Sequence, residues 1–289
     1  MKTPERPTTV VRERTRHPLA VRTLEVAAVR RVVPAIARIT LRGEDLRGFT
    51  APGPADHVKV FFPRPDGGEL IMPLVTEEGI KKPKAGKPLS RDYTPLAFRE
   101  AGDHGPELDI DFVLHGDGGP ASAWAARARP GDRIGVAGPR GSQLTPTGVT
   151  EAILVADETS LPATARWLAA FGPETPVTCL VSVEDPSTAA YLEETANTVP
   201  GSGPAGRIVR WFSGPGRDVE REAALRALAV PEGGFVFLAG EARALIPLRR
   251  YLRRELRLPK QQVSADGYWK RGKADLDHHA PLDPSDPDE

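Results

Sequence analysis

The spacing of apolar residues changes character near residue 150. From about 20 to 145, apolar runs are short and stop at Gly, Pro or Asp. Leu108, Ile110, Phe112 and Leu114 alternate with Asp109, Asp111 and Val113, the period of a half-buried strand. Residues 21–27 alternate less regularly, and 39–41 and 58–62 are short strand-like runs. Short strands divided by Gly and Pro predict a small antiparallel barrel. One helix pattern, 120–128, interrupts them, with Pro120 in its first turn, where a missing N–H costs least. Pro130-Gly131-Asp132 then turns the chain into a strand over 133–137.

Downstream, apolar runs alternate with helix patterns. Strands are expected at 152–156, 177–181, 208–212 and 235–239, with helices following each, the last running to about Leu256. That alternation predicts a parallel sheet covered on both faces. Pro and Gly cluster at 145–148, so two domains are expected, 19–146 and 147–273. Residues 1–18 and 274–289 are polar and proline-bearing and are expected to be disordered tails. The arginines at 249, 250, 253, 254 and 257 crowd one late helix, for which a solvated face is expected.

At 289 residues the chain can bury two cores. Its 39 basic and 39 acidic residues balance, so total charge points to no nucleic-acid or membrane partner. Cys179 is the sole cysteine, which excludes an internal disulfide and fits a small buried residue of a strand. No apolar run reaches bilayer length and no signal-type segment opens the chain, so a soluble cytoplasmic protein is expected; a monomer is expected as well. His278-His279 is too weak a pair to predict a metal site. Gly201–Gly206 fits Gly-x-Gly-x-x-Gly, but it precedes a strand and contains a proline, so it is expected to be a loop.

Two segments carry candidate chemistry. Arg91, Tyr93 and Thr94 place a guanidinium, a phenol and a hydroxyl within four residues. Arg91 and Tyr93 share a strand face, a suitable pairing for a phosphate and a flat cofactor ring. The same residues also suit an ordinary strand with an exposed arginine. Next, His115 leads through a glycine turn, Gly118-Gly119, into the helix pattern carrying Ala121, Ser122 and Trp124. A helix start favours a phosphate, and equally suits a plain capped turn.

In order along the chain, Arg91-x-Tyr93-Thr94, the stretch from Leu114 to Trp124, Pro130-Gly131-Asp132-Arg133 and 138–142 resemble the siderophore-interacting protein family. So do Asp157-Glu158-Thr159 with Pro162-Ala163, Gly240-Glu241 and the Gly267–Gly272 stretch. That family comprises flavin-dependent ferric-siderophore reductases of the ferredoxin-reductase superfamily. The resemblance spans about 20 to 273. It implies a flavin-binding barrel followed by a nucleotide-binding α/β domain. FAD would be held by Arg91, Tyr93, Thr94, His115, Gly118, Gly119, Ala121, Ser122 and Trp124. NADPH or NADH would meet Asp157, Glu158, Thr159, Gly240 and Glu241, and ferredoxin is an alternative electron donor. Lys59, Arg140, Lys270 and Arg271 would attract an anionic ferric siderophore, where the plain alternative is scattered solvated charge.

The chain departs from the family pattern at Leu96, where a second arginine is usual. Arg99 or the 118–122 turn is expected to replace its grip on the flavin diphosphate. The resemblance implies electron transfer from NAD(P)H through FAD to Fe(III), with no general acid or base and no resident metal. The alternatives are a reductase of the same superfamily with another acceptor, and a siderophore-binding protein without turnover.

Overall fold

A computed structural model describes residues 5–65, 68–76, 79–81, 83, 86–103, 105–115, 119–273, 276 and 281–286. Gly118 and His278-His279 lie outside the described residues. The chain forms two compact units.

The first spans Arg14–Leu144, joined by Asn197–Val199. It contains β1 (Arg14–Arg16), β2 (Val21–Val33), β3 (Ile36–Arg42), β4 (Val58–Phe62), β5 (Leu74–Thr76), β6 (Gly79–Lys81), β7 (Leu89–Tyr93), β8 (Pro95–Gly102), β9 (Gly105–Val113), α1 (Pro120–Ala125), β10 (Arg133–Ala137) and β11 (Gly141–Gln143). Seven strands form one antiparallel sheet in the order β7-β4-β10-β2-β3-β9-β8. The two edge strands, β7 and β8, are separated in sequence by Thr94 alone. The sheet must therefore curl until its edges meet, and Thr94 sits at the seam. Leu24, Val26, Ile39, Leu41, Val60, Ile110, Phe112 and Val136 fill the interior.

The alternation in β9 is present, but its polar side is not wet. Asp109 and Asp111 are buried, because Arg38 grips Asp111 at 2.8 Å and Arg99 grips Asp109 at 2.7 Å and Glu107 at 2.9 Å. Thr40 also donates its hydroxyl to Asp109 at 2.7 Å. Buried carboxylates survive here because each meets a matched donor.

The second unit gathers residues 5–13, 145–196 and 200 onward. It contains β12 (Glu151–Asp157), α2 (Leu161–Phe171), β13 (Val177–Val183), α3 (Tyr191–Thr195), β14 (Ile208–Ser213), α4 (Arg217–Arg226), β15 (Gly234–Glu241), α5 (Ala242–Arg250) and β16 (Val263–Trp269). All five strands are parallel, in the order β14-β13-β12-β15-β16. Gly201–Gly206 is a turn region before β14. Cys179 is buried in β13, and burial pushes its thiol up to about 12, so it packs and does not react. Among the described residues no helix is long and apolar enough to cross a membrane.

Three expectations are corrected. The N-terminal stretch is structured from residue 5: Val10 is buried, Arg12 donates to the carbonyls of Lys260 and Val263, and β1 pairs with β11. Arg6 and Arg12 reach backbone carbonyls far along the chain, which proline-rich composition does not reveal. Described residues of the C-terminal stretch are also packed: Leu282 joins the core under α5. Their carboxylates occupy the arginine helix. Arg249 pairs with Asp286 at 2.9 Å and Arg250 donates to Asp283 at 2.8 Å, while Arg253 meets Glu5 at 2.8 Å. That face is thus ion-paired instead of merely solvated. Pro247 stays inside α5, and the chain relaxes into a wider π turn over Tyr251–Glu255.

Candidate functional site

At the barrel seam, strand alternation puts Arg91 and Tyr93 on one face of β7 and Asp92 on the other. The Tyr93 ring packs on Phe112 at 4.4 Å between centroids and on Phe62 at 6.3 Å. Trp124 of α1 completes the cluster, 5.5 Å from Phe62 and 5.8 Å from Phe112. Burial pushes the Tyr93 phenol well above its ordinary range, with the Arg91 charge pulling the other way, so the hydroxyl stays protonated. That hydroxyl has no hydrogen-bond partner among the described residues. Arg91 donates to the Ser90 carbonyl at 2.7 Å, and Thr94 is buried beside it.

Pairing of Pro95 with Ile110 puts Thr94 at the barrel end where β9 exits. His115 lies just past β9 with Gly119 against its ring, so the structure brings the described residues of the two motifs to one end. Gly119 caps α1 in extended conformation, and a Cβ there would lie 3.1 Å from the His115 ring. Ser122 is buried and its hydroxyl oxygen accepts the His115 N–H at 3.0 Å. Ser122 thus ties His115 to α1, and accepting this bond leaves its own O–H as a donor. Ala121 and Trp124 pack on the barrel core. A groove of about 460 Å³ beside Trp124 is lined by Pro63, Leu70, Arg127, Asp132 and Arg133.

Leu96 is buried, so its position faces the core and an arginine there would be desolvated. Arg99 is committed to Glu107 and Asp109, whose hydrogen bonds raise its pKa further. It is not available as the expected replacement. Lys59 pairs with Asp92 at 2.8 Å, opposite the Arg91–Tyr93 face. Arg140 is exposed in the turn after β10, and pairing of Ala137 with Lys59 places both cations at the same barrel end.

In the α/β unit the predicted residues converge at the carboxyl ends of β12 and β15, where open α/β sheets bind ligands. Asp157 is the hub. One carboxylate oxygen accepts the Thr159 N–H at 2.9 Å and its hydroxyl at 2.6 Å. The other accepts the Glu241 N–H at 2.8 Å and the Trp269 indole N–H at 2.8 Å. Gly240 has φ 140°, and a Cβ there would come within 2.4 Å of that second oxygen. Glu241 caps α5 through the Ala244 N–H at 2.8 Å and accepts the Arg271 N–H at 3.0 Å. The Glu158 carboxyl is pushed up by burial. Lys270 is half-buried and Arg271 exposed, both in this unit.

Trp269 is the participant that residue-by-residue reading missed. Its signal lay in the Gly267–Gly272 stretch, whose polar composition also concealed β16 as a strand.

Residues 25–143 match the family model of the siderophore-interacting FAD-binding domain, and 149–272 that of the siderophore-interacting protein. The NADPH-dependent ferric-chelate reductase of Escherichia coli K12 is 39% identical over 261 residues, 89% of this chain and 96% of that protein. Ferric vibriobactin reductase ViuB of Vibrio cholerae is 31% identical over 266 residues, 89% and 92% of the two chains. A crystal structure of a siderophore utilization protein from T. fusca superposes with TM-score 0.81 at 38% identity, covering 93% of this chain and all of that one. Two matched family models in tandem, one on each folded unit, show that the chain belongs to the siderophore-interacting protein family.

Proposed function

We propose that the protein is an FAD-dependent reductase that carries electrons from NAD(P)H to Fe(III) held by a siderophore, so that Fe(II) is released. The observation that carries this reading is the barrel seam, where a guanidinium, a protonated phenol without a partner among the described residues and a glycine-capped helix start share one end. These residues fit a phosphate-bearing flavin: the hydroxyl can donate to a bound acceptor, and Gly119 leaves its backbone open to close approach. Bound FAD supplies the conversion between two-electron hydride chemistry and single-electron delivery.

Arg91 would neutralise a phosphate, and Tyr93 would offer its ring face and its hydroxyl. Thr94, His115 and Gly119 would border the same end. The groove beside Trp124, with two guanidiniums and apolar walls, suits the nucleotide half of a dinucleotide. On the nicotinamide side, Asp157 would act through the strand ends and Trp269 that it fixes, with Thr159, Gly240 and Glu241 as the local wall. Arg140, Lys270 and Arg271 would draw in an anionic chelate. Lys59 would contribute less than a free lysine because Asp92 neutralises it. Siderophore oxygens grip ferric iron more firmly than ferrous, so reduction alone loosens the metal and the protein needs no iron ligands.

Anaerobic mixing with NADPH and with NADH tests the reading. Flavin bleaching by one of them, followed by recovery on adding a ferric siderophore, is expected. If neither nicotinamide bleaches the flavin, the direct donor step is wrong, and reduced ferredoxin becomes the donor to try. Bleaching without recovery by any ferric chelate would leave a reductase with a different acceptor.

A further inference from the structure

The C-terminal stretch makes a contact that neither family likeness nor composition accounts for. Gly267 opens the signature at the end of β16. Having no side chain, it leaves a slot between β16 and α5. A Cβ at Gly267 would lie 3.0 Å from the Ala242 Cβ and 3.1 Å from a methyl carbon of Leu282. Leu282 fills that slot and is only 8% exposed. Its own neighbours, Pro281 and Pro284, form no helix or strand that would keep it there. The ion pairs beside it do. Asp283 accepts from the Arg250 guanidinium at 2.8 Å, and Asp286 pairs with Arg249 at 2.9 Å and with Arg254. Arg249 and Asp283 are buried and the Asp286 side chain is only 5% exposed, so these pairs are less screened than surface ones. A turn in which Ser285 donates its hydroxyl to Asp283 at 2.6 Å fixes the spacing between the two aspartates.

Two residues beyond Gly267, the Trp269 indole is tied to Asp157, and two further on, the Arg271 N–H is tied to Glu241. The segment is therefore held at its far end by the hub and at its near end by Leu282.

We propose that Leu282, Asp283 and Asp286 are positioning residues for the donor step: docked on α5, they hold Gly267–Arg271 in the pose that receives the nicotinamide. This rests on the reductase reading above. The barrel is not involved, so flavin retention does not depend on the clamp.

Two full-length variants test it: Asp283→Asn/Asp286→Asn, which keeps shape and removes charge, and Leu282→Ala. Hydrogen exchange over 263–273 should quicken about tenfold or more in both, with 151–157 unchanged as an internal reference. KM for the nicotinamide should rise about threefold or more while kcat moves less than about twofold and FAD content stays constant. The aspartate-to-asparagine variant, which leaves Leu282 in place, covers the case that Leu282→Ala does not fold. Unchanged exchange over 263–273, or equal quickening over 151–157, overturns the clamp. Faster exchange with KM unmoved reduces it to packing and overturns the positioning role. If wild-type protein oxidises no nicotinamide, the reductase reading fails while the exchange measurement still decides the clamp.

Discussion

At the barrel seam, Tyr93 presents a hydroxyl that the described protein does not satisfy, and Arg91 sits on an edge strand. At the end of the parallel sheet, Asp157 accepts four donors from three sites and leaves little capacity for a ligand. Both clusters were selected by the same kind of motif. The seam offers contacts that a bound molecule completes, whereas the hub is part of the fold and shapes its surroundings by rigidity. A short pattern of polar residues thus covers two physical cases, distinguished by whether the partner lies inside the chain.

The difference predicts opposite phenotypes. Asp157→Ala leaves the Trp269 and Glu241 donors stranded, and urea unfolding should show a loss of about 3–5 kcal/mol. If that variant keeps wild-type stability, the hub is not structural. Gly240→Ala drives a methyl group into Asp157 from a backbone geometry that alanine rarely adopts. It should cost about 2–3 kcal/mol by the same measurement. Arg91→Ala should instead weaken flavin binding by about 1.5–3 kcal/mol, read by titrating FAD into apoprotein. Its melting temperature without flavin should shift by less than about 2 °C. Large destabilisation of the apoprotein would place Arg91 with the hub and erase the contrast. The smallest change serves as a control. Arg257 ends the late helix at φ 58°, where the Leu258 N–H reaches the Leu252 carbonyl at 3.0 Å. Arg257→Gly should add about 0.5–1 kcal/mol, because glycine adopts that conformation without a Cβ penalty.

The division into a strand-rich half and an alternating half was legible because hydrophobic period is local. The loop at Gly201–Gly206 was legible because the motif has meaning only after a strand. What stayed hidden depends on distant partners. Nothing near Arg99 reveals that Glu107 and Asp109 consume it, and nothing near Ser122 reveals that it accepts the His115 N–H. Polar, proline-bearing termini have the composition of disorder, yet Arg12 and Asp286 find partners far away in the chain. Edge strand β16 has an exposed flank, so its residues need not be apolar.

Thr94 joins the two outermost strands of the barrel. The strands on either side of it pair only with β4 and β9, so the Tyr93 ring sits between Phe62 of β4 and Phe112 of β9 only after every intervening strand has found its neighbour. The cradle around Arg91, Tyr93 and Thr94 is therefore among the last features to form as the chain folds, and no half-built sheet contains it. Cofactor capture then acts as a check on completion: during refolding, a flavin signal should appear with the slowest phase and never before it.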